Sequence, residues 1–94
     1  MQILSVRHKG LKRFIENDDF KGIRQDLVER VRNIVAMLVL IPDIDALRAP
    51  PGWREHRLSG DRAGQWSISV SGNWRITFEI RDDQIWHLNL EDYH

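Results

Sequence analysis

Gln65-Trp66-Ser67-Ile68-Ser69-Val70, the turn Ser71-Gly72-Asn73 and Trp74-Arg75-Ile76-Thr77-Phe78-Glu79-Ile80-Arg81 read together as a β-hairpin. In the first arm Trp66, Ile68 and Val70 alternate with polar residues; in the second Trp74, Ile76, Phe78 and Ile80 do the same. A period of two puts each apolar set on one face of an extended strand. Gly and Asn between two such runs favour a tight turn. Asp82-Asp83 then marks a second turn, and Gln84 to Glu91 predicts a third strand with Trp86, Leu88 and Leu90 on its buried face. Three consecutive strands with one apolar face need a cover.

The cover lies upstream. Ile3 to Val6 predicts a short first strand. Lys9 to Glu16 carries Leu11, Phe14 and Ile15 at helical spacing and stops at the polar Asn17-Asp18-Asp19. A longer helix is predicted from about Arg24 to Leu40, with Leu27, Val28, Val31, Ile34, Val35, Leu38 and Val39 as its core stripe and Pro42 ending it. Residues 42–52 are Pro-rich and read as a loop. Helices followed by a run of strands predict an α+β fold: two N-terminal helices packed on one face of a mostly antiparallel sheet, in a single domain spanning 1–94. The opposite face carries Ser67, Ser69, Arg75 and Thr77 and is expected to stay open to solvent or ligand.

The 94 residues include no cysteine, which excludes disulfides, Cys-based metal sites and a thiol nucleophile. No apolar stretch is long enough for a signal peptide or a membrane span, so the expectation is a soluble cytoplasmic protein with no membrane partner. Formal net charge is zero, but unevenly spread. Residues 48–81 hold six arginines (48, 54, 57, 62, 75 and 81) against Glu55, Asp61 and Glu79. Residues 82–94 hold Asp82, Asp83, Glu91 and Asp92 with no Lys or Arg. Every basic residue after Lys21 is Arg, whose planar fork matches phosphate.

Chemistry-bearing residues gather in three places. Arg75 sits mid-strand, where its neighbours fix its position; it reads either as half of an ion pair with Glu79 or another strand's acid, or as a rigid guanidinium aimed at a phosphate. His56 lies between Arg54 and Arg57, and strict alternation would set it on the side of Leu58, in conflict with the open face. The sequence ends in Asp92-Tyr93-His94, a carboxylate, a phenol and an imidazole that titrates near neutral pH. A solvated polar terminus is the plain alternative. His8 and His87 are expected to be surface or structural residues. No His/acid spacing suits a metal and no Gly-rich loop suits a phosphate cofactor, so no cofactor or metal is expected.

Taken together, His56-Arg57-Leu58-Ser59-Gly60-Asp61-Arg62, Trp66 to Val70, Gly72-Asn73-Trp74-Arg75-Ile76-Thr77-Phe78 and the final Glu91-Asp92-Tyr93-His94 resemble the HigB branch of the RelE/ParE toxin family. His8-Lys9-Gly10-Leu11-Lys12 matches the same branch, so the resemblance covers nearly the whole chain. It implies a toxin of a type II toxin–antitoxin pair that cuts translated mRNA on the ribosome without a metal. The RNA's own 2′-hydroxyl would attack the adjacent phosphate, which calls for a base, an acid and positive charge on the transition state.

By resemblance, Arg75 is the catalytic arginine, His56 the upstream catalytic histidine, and Asp92, Tyr93 and His94 the terminal triplet. His94 would be acid or base, Asp92 would orient an imidazole, and Tyr93 would stack on a base or bond the phosphate. Arg54, Arg57 and Arg62 are the candidates for RNA and ribosome contact. The implied partners are the ribosome with its mRNA and a helix-turn-helix, HigA-like antitoxin through which operator DNA is bound. Ser59, where the family carries Lys, and the neutral total charge are departures. Two other readings stay open at this point: a gyrase-directed toxin like the ParE branch, and a weak toxin that mainly binds its antitoxin.

Overall fold

In the computed structural model the described residues are 1–47, 56–57 and 64–92. The elements are β1 (Gln2–Ile3), α1 (Lys9–Asn17), α2 (Val28–Leu40), β2 (His56–Arg57), β3 (Gln65–Ser71), β4 (Trp74–Arg81) and β5 (Gln84–Asp92). Single 3₁₀ turns at Gln25–Leu27 and Ile44–Ala46 flank α2. The five strands form one sheet in the order β1-β5-β4-β3-β2. β2 to β5 pair antiparallel, and β1 joins the edge parallel to β5. The α+β fold with helices preceding a mostly antiparallel sheet is the one the alternation and periodicity predict.

Helix α1 starts where His8 accepts the Leu11 N–H on Nδ1 at 3.0 Å, supplying the acceptor an N-terminal turn lacks. It stops at Asp18, whose left-handed backbone (φ 56°) ends the helical run. Leu11 and Phe14 point into the core. Gly10 is buried because the loop backbone at Gly22 passes directly over it: a Cβ at position 10 would lie 2.2 Å from the Gly22 carbonyl oxygen. Only glycine tolerates that approach.

Helix α2 buries Val31, Ile34, Val35 and Leu38, continuing from Leu27 in the turn before it. Its expected stripe is one residue too wide, because Val39 is 50% exposed. At the end of the helix the Met1 ammonium donates to the Leu38 and Val39 carbonyls, each at 2.9 Å, and to that of Ile41. These contacts satisfy carbonyls a helix end leaves without intrahelical donors. Ile68, Val70, Ile76, Phe78, Ile85, Leu88 and Leu90 complete the core from the sheet side.

The β5 pattern departs from simple alternation. Ile85, Leu88 and Leu90 are buried while Trp86 is only half-buried. Residues 85 and 88 differ by an odd number, so a straight strand could not bury both. A bulge resolves the conflict: between Thr77 and Glu79 of β4 the pairing jumps from Asn89 to Trp86, and His87 takes φ 56°. Trp86 therefore lies opposite Glu79 on the far face, with the Arg81 guanidinium 5.5 Å from its ring. At the edge, β1 is shorter than expected, with Val6 rejoining β5 as an isolated parallel bridge to Leu88.

Candidate active site

The sheet register builds the site row by row. Arg75 on β4 lies opposite Ser69 on β3 and Glu91 on β5. Two residues along, Thr77 lies opposite Ser67 and Asn89. Ser67 in turn lies opposite His56 on β2. Residue parity puts Arg75, Thr77, Ser67, Ser69, Asn89 and Glu91 on the face turned away from the core.

That face is less open than expected. Ser67 and Thr77 are each 2% exposed and Ser69 is 9% exposed. Small side chains here lie between long half-buried neighbours, Arg75, Glu79 and Glu91 among them, which shade them from water. Arg75 does not pair with Glu79, whose Oε1 meets Arg81 at 3.2 Å and whose Oε2 lies 3.6 Å from His87 Nε2. Instead the Arg75 Nε and Nη1 atoms are buried with no hydrogen-bond partner among the described residues. Buried donors without acceptors are rare because desolvation is uncompensated. Such a guanidinium is ready for an anion.

Glu91 occupies the facing position but is held elsewhere. Its Oε2 accepts the Thr77 hydroxyl at 2.8 Å and the Asn89 side-chain amide at 3.3 Å. The sequence pattern placed Thr77 on this face without a role and gave Asn89 and Glu91 none. The signal that would have found them is the same two-residue period that exposed Arg75.

The register also locates the other candidates. Position 56 pairs with Ser67 and so falls in the register row of Ser67 and Thr77. Strand spacing puts its Cα about 12 Å from that of Arg75. Arg57 lies opposite Trp66. Asp92 ends β5 opposite Trp74, exposed and one residue out of phase with Glu91, so it lies on the other face from Arg75. Arg54, Ser59, Arg62, Tyr93 and His94 lie outside the described residues. His8 and His87 are structural, one capping α1 and the other forming the bulge. Burial holds the His8 pKa below the ordinary imidazole value. Among the described residues no three His, Asp or Glu side chains are grouped to hold a metal, and no helix is long and apolar enough to cross a membrane.

Two helices on a sheet of this topology define the fold of the small RelE-like toxins. YafQ from E. coli superposes with a TM-score of 0.62 at 12% identity, covering 97% of this chain and 89% of that one. The YoeB/ParE toxin from Agrobacterium tumefaciens superposes with a TM-score of 0.61 at 15% identity over 100% of both chains. In sequence, the endoribonuclease HigB of Proteus vulgaris is 38% identical over 92 residues, 98% of this chain and 99% of that protein. Residues 4–94 match the HigB-like toxin family, described as the RelE-like toxin of the type II toxin–antitoxin system HigB. The chain belongs to that family.

Proposed function

We propose that this toxin is an endoribonuclease that cuts mRNA on translating ribosomes, with Arg75 as the phosphate-binding group. Endoribonuclease activity is supported by the identity to the Proteus vulgaris enzyme over nearly the full length. Ribosome dependence and the roles of individual residues are our reading of the site. The observation that carries it is the half-buried Arg75 with two unpartnered nitrogens on a polar sheet face.

In the reaction, the RNA 2′-oxygen attacks the adjacent phosphorus while its proton passes to a base. The bond to the 5′-oxygen breaks, that oxygen takes a proton from an acid, and a 2′,3′-cyclic phosphate remains. Negative charge grows on the non-bridging oxygens as phosphorus becomes five-coordinate, and a fixed guanidinium stabilises it more than it stabilises the ground state. His56 and His94 are the acid–base candidates, since imidazole gives and takes protons near neutral pH. Tyr93 stacks on a base or bonds the phosphate, and Asp92 orients an imidazole from the strand end. Arg54, Arg57 and Arg62 contact the RNA or ribosome. The partner of the resting toxin is an antitoxin. E. coli YafQ is known in complex with DinJ, and for this chain we propose a helix-turn-helix, HigA-like antitoxin that carries the operator contact.

The test is mRNA cleavage by untagged protein with and without ribosomes translating that message, with gyrase supercoiling measured in parallel. Cuts that need translating ribosomes are expected. Inhibited supercoiling without cuts would replace this reading with a gyrase-directed one.

A further inference from the structure

Arg75 and Glu91 face each other across β4 and β5, where opposite charges ordinarily close an ion pair. Here they do not: Arg75 keeps Nε and Nη1 unpartnered, while Glu91 Oε2 takes a hydroxyl from Thr77 and an amide from Asn89. We infer that Thr77 and Asn89 are positioning residues that hold the Glu91 carboxylate off Arg75 and so keep the guanidinium free for the phosphate of an RNA substrate. The inference rests on the endoribonuclease reading.

The argument is one of competition. A carboxylate is an acceptor in the same class as a phosphate oxygen, and both suit an arginine fork. If Glu91 closed on Arg75, each substrate phosphate would have to displace it. Two neutral donors on the Glu91 Oε2 oppose that closure. Thr77 is 2% exposed, so its hydroxyl has no water to turn to, and its β-branched side chain has few rotamers. Asn89, in the same row as Thr77, adds a second donor to the same oxygen. Both bonds draw the carboxylate along the strand toward row 77 and away from row 75. The unmet donors of Arg75 remain unmet until an anion arrives, so their desolvation, already incurred on folding, is not charged against substrate binding.

The test pairs kinetics with a direct view of the guanidinium. Thr77→Val keeps the shape and removes the hydroxyl; Thr77→Ser keeps the hydroxyl; Thr77→Val/Glu91→Gln removes the competing charge. On ribosome-bound mRNA, Thr77→Val is expected to lower kcat/KM about tenfold, mostly through KM. Thr77→Ser should match wild type, and Thr77→Val/Glu91→Gln should return to within about threefold of Glu91→Gln alone. In parallel, the ¹H–¹⁵N signal of Arg75 Nε–H in the free toxin should shift in Thr77→Val and revert in the double variant, as an ion pair forms and is removed. An equal kinetic loss from Thr77→Val in the wild-type and Glu91→Gln backgrounds, or an unshifted Arg75 signal in Thr77→Val, would overturn the inference. A shifted signal with unchanged cleavage would uphold the geometry but remove Arg75 from the reaction, which counts against the endoribonuclease site itself. If Thr77→Val does not fold, Asn89→Ala carries the same comparison.

Discussion

The Ser5 hydroxyl oxygen accepts the His87 backbone N–H at 2.8 Å, tying the edge of the sheet to the bulge in β5. On either side, the Leu4 N–H donates to the Ile85 carbonyl and the Arg7 N–H to that of Leu88, both at 2.8 Å. The edge segment therefore brackets the irregular point of β5. The bulge matters beyond the edge, because it lets Ile85 and Leu88 share the core while Asn89 and Glu91 stay on the face of Arg75.

Removing the Ser5 hydroxyl should expose the cost of that arrangement. Ser5→Ala strands a half-buried N–H, and such a loss costs about 1–2 kcal/mol. Urea unfolding should show the midpoint falling with an unchanged slope. A wild-type midpoint would mean that the bulge does not depend on Ser5.

Gly10→Ala should destabilise more. The added Cβ would meet the Gly22 carbonyl oxygen at 2.2 Å and its carbonyl carbon at 2.5 Å. Backbone cannot rotate away as a side chain can, so α1 must lift from the loop at a cost of about 2 kcal/mol or more. Ordinary helix propensity would instead favour the alanine by roughly 1 kcal/mol, so the sign of the change decides between the two effects.

Stability should fall in mild acid through His8. Burial lowers its folded pKa, and a protonated Nδ1 could no longer accept the Leu11 N–H. The neutral ring's contribution is complete above about pH 6.5, where the unfolded imidazole has lost its proton, and declines as pH falls through the lower folded value. The melting temperature should therefore be lower at pH 5 than at pH 7.5. His8→Asn, a cap that does not titrate, should narrow that difference; an equal pH dependence in both proteins would contradict the assignment.

Arg75→Met should separate stability from activity. Methionine keeps much of the side-chain length and removes the two buried nitrogens that lack partners. The variant should melt at or above the wild-type temperature, since each uncompensated buried donor costs about 1–3 kcal/mol, while RNA cleavage is lost. A marked drop in melting temperature would show that Arg75 serves the fold.

Much of this was legible in the sequence for local reasons. Alternation around Gly72-Asn73 and Asp82-Asp83 fixes β3, β4 and β5, and both aspartates take the positive φ that a tight two-residue turn requires. The core of α2 follows from its period. What escaped depends on partners far along the chain. The bulge at His87 is tied to Ser5, 82 positions away, and local alternation, blind to that contact, puts Trp86 inside where Ile85 is found. Val39 fits the helical stripe yet is exposed, because it falls just outside the arc of the helix that Val31, Ile34, Val35 and Leu38 bury. At the site, Arg75 could be found from its mid-strand position. The role of Glu91 could not, because it depends on which neighbour holds the carboxylate, and only the register of the strands decides that.

The most direct measurement is single-turnover cleavage of ribosome-bound mRNA by wild type and Arg75→Ala at matched folded concentration. Removing a group that stabilises transition-state charge should slow cleavage about 100-fold or more, with the melting temperature unchanged or raised. Cleavage by Arg75→Ala within about threefold of wild type would contradict the account, because the site would then work without the residue on which it is built.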